Sequence, residues 1–174
     1  MNTVPASVSA GLLILRLVAG LTLAAHGAQK AFGWSGGAGL AKTVASYQGQ
    51  GLKPGWLWAG LAILGEIGGG LSVAFGFLTP LGAAGMVGAM VMAIFKVGWR
   101  NGFWNSKRGY EYPLLLLASA VTIGFTGAGA YSLDTLLRIH LPLDVFLALA
   151  IAALITDVIG LSISGRAASV SKPA

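Results

Sequence analysis

Residues 8–28 read VSAGLLILRLVAGLTLAAHGA, an apolar run with one fixed charge, at Arg16. The hydrocarbon core of a bilayer is about 30 Å thick and needs roughly 20 mostly apolar residues in a helix, a length that this run reaches. The residues before the run contain no Lys or Arg, and Arg16 lies inside it, so it does not resemble a cleaved secretory signal. We therefore predict a retained transmembrane helix.

Three further runs reach the same length, at residues 55–78, 81–99 and 141–163, and a shorter apolar run covers residues 113–126. Only 9% of the residues are charged and the mean hydropathy is +0.80, whereas soluble domains carry about 25% charged residues. A water-exposed surface cannot be covered by so few charges. The sequence thus predicts an all-α, polytopic bundle of five transmembrane helices in a lipid bilayer.

The positive charges sort to one face of this bundle. With five spans, the face that holds the N-terminus carries Arg138, and the opposite face carries Lys30, Lys42, Lys53, Lys96, Arg100, Lys107, Arg108, Arg166 and Lys172. Cytoplasmic loops are enriched in Lys and Arg. We therefore predict an N-terminus outside and a C-terminus in the cytoplasm. The net charge of +6 then reflects orientation, which argues against a nucleic-acid partner.

The chain has no Cys and two histidines, His26 and His140. The lack of Cys excludes a disulfide scaffold, thiol redox chemistry, an iron–sulfur cluster and a Cys-ligated metal. The two histidines belong to opposite membrane faces, which excludes a bis-His haem, and the spacing of His and carboxylate residues gives no support for a metal site. Any redox role therefore needs a lipid-soluble ligand, such as a quinone, or a carrier on a partner protein.

Two ionisable residues lie deep in predicted spans. Arg16 is about eight residues and Glu66 about eleven residues from a helix end, which places both near the midplane at about 1.5 Å per residue. A lone charge at that depth costs at least about 2.5 kcal/mol. We therefore predict an Arg16–Glu66 contact, either as a structural ion pair or as a pair that handles protons or substrate. Asp157, in the last span, is assigned no role.

A second polar group is predicted at the cytoplasmic ends of the helices. His26, Gln29 and Lys30 end the first helix, and Glu111 opens the fourth. They suit either an interfacial anchor or a binding and proton-transfer site, since His titrates near neutral pH. The tryptophans lie in the same region and form either a one-sided aromatic belt or a cavity for a planar ligand; the candidates are Trp34, Trp99 and Trp104.

Ordered motifs along the chain resemble those of a known family. They are LRL (15–17), HGAQKAFG (26–33), GEIGG (65–69), GFLTP (76–80), GYEYP (109–113) and GAGAYSLD (127–134). In this order and spacing they resemble the DoxX family of small bacterial membrane proteins, over residues 10–135. The resemblance implies a bundle of four core helices in residues 1–135. Residues 136–174 are then an addition: a transmembrane or membrane-associated helix with a short cytoplasmic tail.

The resemblance also implies a function. Some relatives are subunits of thiosulfate:quinone oxidoreductase, and others join membrane complexes that handle oxidative stress. We therefore expect a membrane subunit of a quinone-linked oxidoreductase in the bacterial inner membrane, with partner subunits or as a homo-oligomer; activity of its own stays open. The expected proton-handling residues are Glu66, Glu111 and His26, and the expected ligand-binding residues are Arg16, Gln29, Lys30, Trp34, Trp99 and Trp104. Asp134, another matching position, is expected to cap or pin its loop.

Two other functions compete with this one. A non-enzymatic scaffold would dock partner helices through its glycine-rich faces, which include Gly65 and Gly69, and through the extra C-terminal helix. The same small residues also predict tight packing within the bundle. A transporter is less well supported, because five helices are few for alternating access and no inverted repeat is visible.

Overall fold

The computed structural model describes residues 5–170, with the side chains of Val97 and residues 165–170 left out. Lys172, counted above among the cations of one face, lies outside the described residues. The helices are α1 (Ala6–Phe32), α2 (Gly39–Gly49), α3 (Gly55–Phe75), α4 (Thr79–Ala93), α5 (Glu111–Thr126), the one-turn α6 (Leu133–Leu136) and α7 (Leu143–Val170). Between residues 5 and 170 there is no strand, so the predicted all-α class is confirmed.

Within the described part of the chain, four helices are long and apolar enough to cross a membrane: α1, α3, α4 with its extension to Lys96, and α7 to Ser164. The apolar helix α5 is shorter, at 16 residues. Helices α1, α3, α4 and α5 form a four-helix core, and α7 packs along the outside of α4. The C-terminal addition is therefore a helix that is long enough to cross a membrane and that packs against the four-helix core.

The bundle has two ends. The Asp134 end comprises the start of α1, the α3–α4 turn and residues 127–142, and the Trp-rich end comprises the end of α1, helix α2 and residues 99–110. At the Trp-rich end, Trp99 stacks on Tyr110 with ring centroids 5.6 Å apart. Helix α2 was not predicted, because its sequence is short and rich in Gly and polar residues; it is held to α1 where the Thr43 hydroxyl donates to the Lys30 carbonyl at 3.1 Å.

Small residues set the spacing of the helices. A Cβ built on Gly70 would lie 2.6 Å from the Gly20 carbonyl oxygen, and one built on Gly69 would lie 2.9 Å from the Gly82 carbonyl oxygen. Such close approach of backbones is what stabilises helix pairs in lipid, where no hydrophobic driving force acts between them. The predicted role of the glycines in tight packing is confirmed.

The predicted Arg16–Glu66 contact is wrong. Arg16 is fully buried, donates from Nη2 to the Tyr131 carbonyl at 2.5 Å and lies against Gly76 at the Asp134 end. Glu66 forms an ion pair with Lys30 instead. The physical reason is the register in which the antiparallel helices α1 and α3 pack, which their small-residue contacts set. In this register Arg16 lies opposite the end of α3, and Lys30 lies opposite the turn that contains Glu66.

Asp134 pins the Asp134 end together. Its carboxylate accepts hydrogen bonds from the Leu78 and Thr79 backbone N–H groups at 2.7 and 3.0 Å, and from the Thr79 hydroxyl at 2.7 Å. These are the unpaired donors at the start of α4, so Asp134 caps that helix from a distant part of the chain. Asp134 was expected to cap or pin its own Gly-rich loop; its carboxylate instead holds the α3–α4 turn.

Candidate functional site

Glu66 lies in a widened, π-type turn of α3, Leu64–Gly68, a local geometry frequently found at functional sites. Its side chain is 4% exposed, and its Oε1 atom pairs with the Lys30 ammonium group, whose side chain is 32% exposed. Among the described residues, the other carboxylate oxygen, Oε2, is buried and has no hydrogen-bond partner. The ion pair therefore leaves one buried acceptor free for a ligand or a proton.

Tyr112 brings helix α5 to this ion pair. Its buried hydroxyl has no hydrogen-bond partner among the described residues. This hydroxyl also interacts electrostatically with the Glu66 carboxylate. The His26 ring lies beside it, with ring centroids 5.2 Å apart. The structure thus gathers three predicted site residues, Lys30, Glu66 and His26, around a tyrosine that the sequence did not single out.

Tyr47, on α2, extends the polar group toward α7. Burial raises the pKa of the Tyr47 hydroxyl, which also interacts electrostatically with Lys30, Glu66 and Asp157. The hydroxyl therefore keeps its proton at neutral pH and remains a hydrogen-bond donor. Tyr47 thus lies within electrostatic range of both the ion pair and Asp157, and these groups together are called the polar line.

Asp157 is the most isolated of these groups. It is 7% exposed, and its Oδ2 atom is buried without a partner among the described residues. Buried polar atoms in native proteins nearly always have a partner. This carboxyl group comes from α7 and faces α4, where a Cβ on Gly88 would lie 3.9 Å from Oδ2.

A groove of about 590 Å³ lies between α3, α4 and α7. Glycines and aliphatic side chains line most of its length, and Tyr47, Trp58, Met92 and Asp157 line it at the end nearer the Trp-rich face. Among its walls, Leu61, Leu64 and Leu81 are also exposed on the outer surface of the bundle. The groove is therefore open sideways, toward lipid, and ends beside the polar line.

The other sequence-predicted site residues lie apart from this groove. Arg16 is at the opposite end of the bundle. The Glu111 carboxylate accepts a hydrogen bond from the Asn105 backbone N–H at 2.9 Å and so orders the loop before α5. Gln29 is half-buried near the end of α1. Three exposed tryptophans are at the Trp-rich end, outside the groove lining: Trp34, Trp99 and Trp104.

Sequence reasoning missed Tyr47, Trp58 and Tyr112 as site residues. Trp58 and Tyr112 were noticed only as part of an aromatic region, and Tyr47 lies in a segment expected to be a loop. A usable signal for Trp58 is its spacing from Glu66: the two are eight residues apart on one helix, or slightly more than two turns. No comparable signal exists for Tyr47, whose position depends on how α2 folds back.

The family model DoxX matches residues 11–99, which include most of α1 and all of α2, α3 and α4. The chain belongs to the DoxX family. The DoxX match contains Lys30, Tyr47 and Glu66, whereas Tyr112 and Asp157 lie beyond it. Comparison with curated proteins and with solved structures finds no match.

Proposed function

We propose that this DoxX protein is the membrane subunit of a quinone-linked oxidoreductase in sulfur or oxidative-stress metabolism. The observation that carries the proposal is the buried Lys30–Glu66 ion pair, whose Oε2 atom has no partner among the described residues and which interacts with Tyr47, a residue that lines a lipid-accessible groove. A bacterial inner membrane with the N-terminus outside, as the distribution of Lys and Arg indicates, is part of the proposal.

The chemistry of a quinone explains why such a cluster is useful. Reduction of a quinone to a quinol takes two electrons and two protons. The chain contains no Cys, so the electrons are expected from a redox group on a donor subunit. Protons inside a membrane must be passed between side chains, and intramembrane carboxylates such as Glu66 commonly do this. The Lys30 ammonium group balances the carboxylate charge, and the tyrosine hydroxyls offer further proton-bearing groups.

The proposal is tested by quinone reduction in membranes. Membranes that contain the native chain and its partners are compared with membranes from a deletion strain, with thiosulfate or sulfide as the electron donor. The Glu66→Gln variant is expected to lower the rate at least about tenfold, in the range that general acid–base groups contribute. Asp144→Asn, which changes an exposed acid at the start of α7, is the control and should keep most of the activity. Equal rates with and without the protein would refute the proposal.

The alternative of a non-enzymatic scaffold finds less support in this fold. The glycine rows that were to dock partner helices pack inside the chain, since Gly65 faces Gly85 and Gly69 faces Gly82. Helix α7 does present exposed Ile155 and Val158 on its outer side, but such residues are equally suited to contact lipid. A scaffold would predict that the Glu66→Gln variant keeps full activity in the assembled complex.

A further inference from the structure

We infer that the groove between α3, α4 and α7 is the entry path and binding site of an isoprenoid quinone, with its tail along the glycine-lined part and its headgroup at Tyr47 and Asp157. This inference rests on the proposed function and adds a location and a headgroup ligand from the C-terminal helix. Asp157 lies outside the region that matches the family.

The shape of the groove suits a ligand that has an extended apolar tail and a planar headgroup. Its volume of about 590 Å³ lies in the range of roughly 300–1,000 Å³ that is usual for small-molecule sites. From Leu81 to Met92, both in its lining, α4 rises about 16 Å at 1.5 Å per residue. Gly68 and Gly85 lie in the walls and leave room for an extended apolar chain, while the aromatic side chain of Trp58 lines the end nearer the Trp-rich face.

The buried carboxyl group of Asp157 indicates what the headgroup must do. Because Oδ2 has no partner in the described part of the chain, a ligand that can hydrogen-bond would supply the missing partner. A quinone carbonyl accepts a hydrogen bond from a protonated carboxyl group, and a quinol hydroxyl donates one to a carboxylate. The Tyr47 hydroxyl is a second donor at the same end of the groove.

Charge distinguishes a quinone from a phospholipid in this groove. Among the residues that the structure describes, the lining contains one carboxyl group, that of Asp157, and no Lys or Arg. A phosphate headgroup beside Asp157 would therefore meet a carboxyl group, and the nearby cation, Lys30, is already paired with Glu66, so this placement is unfavourable at low dielectric. A neutral quinone or quinol has no such penalty.

The location is tested by photolabelling of the full chain in nanodiscs with an azido-benzoquinone that carries a two-isoprene tail. Labelled peptides from α3, α4 or α7, with labelling prevented by excess unlabelled quinone, would support the inference. Competed labelling only around His26 and Lys30 would overturn this groove as the site and leave the proposed function standing. Labelling that quinone does not compete, or that phospholipid competes equally, would overturn the inference. The rate assay in membranes judges the proposed function separately.

Two exposed glycines of α3 provide a matched pair of variants. Gly68 lines the groove, and the nearest atom to a Cβ there is the flexible Leu64 Cδ1 at 3.4 Å; Gly60 has nothing within 4 Å and is outside the lining. Gly68→Leu should weaken quinone binding at least about tenfold by filling the groove, and Gly60→Leu should change it by less than about twofold. Equal binding by both variants would overturn the inference.

The headgroup contact is tested at Asp157. Asp157→Asn keeps a hydrogen-bonding side chain of the same shape, whereas Asp157→Leu removes it. We expect the Leu variant to bind the quinone probe about tenfold more weakly or worse, and the Asn variant to stay within a few-fold of the native affinity. Thermal unfolding without quinone confirms that both variants are folded. Unchanged binding by a folded Leu variant would exclude Asp157 as a headgroup ligand.

Discussion

Thr79 donates both its backbone N–H and its hydroxyl to one oxygen of Asp134, at 3.0 and 2.7 Å. The two residues are 55 positions apart in the chain, and both are buried. This contact joins the beginning of α4 to the segment that precedes α7, and it fixes the α3–α4 turn beneath that segment. The contacts at the Asp134 end therefore stabilise the fold, and they lie far from the end of the groove where the polar line is found.

Removal of the Asp134 carboxylate should destabilise the fold without a direct effect on ligand binding. Asp134→Ala leaves three donors at the start of α4 without their acceptor, and we expect a loss of about 3 kcal/mol or more, since hydrogen bonds to charged groups are worth about 1.5–3 kcal/mol each. Thr79→Val removes one of the three and should cost less. Unfolding of detergent-solubilised protein measures both. Thr22→Val is the control and should be nearly neutral, because the Thr22 hydroxyl donates to a carbonyl within α1.

The Lys30–Glu66 pair should show strong coupling in a double-mutant cycle. Lys30→Met leaves the buried Glu66 carboxylate without its partner and should lose about 3 kcal/mol. Glu66→Leu leaves Lys30, which is 32% exposed and can be hydrated, and should lose less. The double variant should recover much of that stability, because no uncompensated charge remains. Additive losses in the double variant would show that the two side chains do not interact. Quinone reductase activity should be lost in all three variants, which separates the functional role from the structural one.

The packing of Arg16 against Gly76 makes that glycine intolerant of a side chain. Gly76 ends α3 in the left-handed region, at φ +62°, and its Cβ position is already occupied by the Arg16 guanidinium. Gly33 ends α1 at φ +71°, and its Cβ would meet only ordinary contacts from 3.5 Å. Gly33→Ala should therefore cost about 1–2 kcal/mol, the usual penalty for this conformation. Gly76→Ala should cost clearly more; equal midpoints of thermal unfolding would contradict the Arg16 placement.

The lack of Cys makes the proposed orientation directly measurable. Each introduced cysteine is the only thiol of the chain, so labelling by a membrane-impermeant maleimide in intact cells reports one position. Ala130→Cys, exposed at the Asp134 end, should be labelled from outside. Ser106→Cys, exposed at the Trp-rich end, should be labelled only after the cells are opened. The reverse pattern would invert the assignment based on Lys and Arg.

The helices that span the bundle were predictable because a long apolar run has few alternatives in a membrane. The predicted runs at residues 8–28 and 55–78 correspond to α1 and α3; one end coincides, and the others differ by two to four residues. Helix α2 was not predictable in the same way. Its residues are small and polar, and it becomes ordered by contacts such as the Thr43 hydroxyl with the Lys30 carbonyl.

The depth of a residue in the membrane does not determine which charged side chains form pairs. Arg16 and Glu66 were placed near one level by counting residues, but the antiparallel register decides which side chains meet. That register depends on Gly20 fitting against Gly70, a contact that a single sequence does not specify. Asp157 was visible as a rare intramembrane acid, whereas its place in a groove depended on α7 packing along α4.

The sideways opening of the groove has a consequence for how the proposed quinone would be supplied. A hydrophobic molecule that enters between Leu64 and Leu81 never leaves the bilayer, so it arrives by diffusion in two dimensions. Occupancy is then governed by the mole fraction of that molecule among the lipids, and its total concentration in the aqueous suspension is the wrong variable. Two preparations with equal amounts of quinone but different amounts of lipid should saturate at different points. Titrations on this protein should therefore be expressed as quinone per lipid.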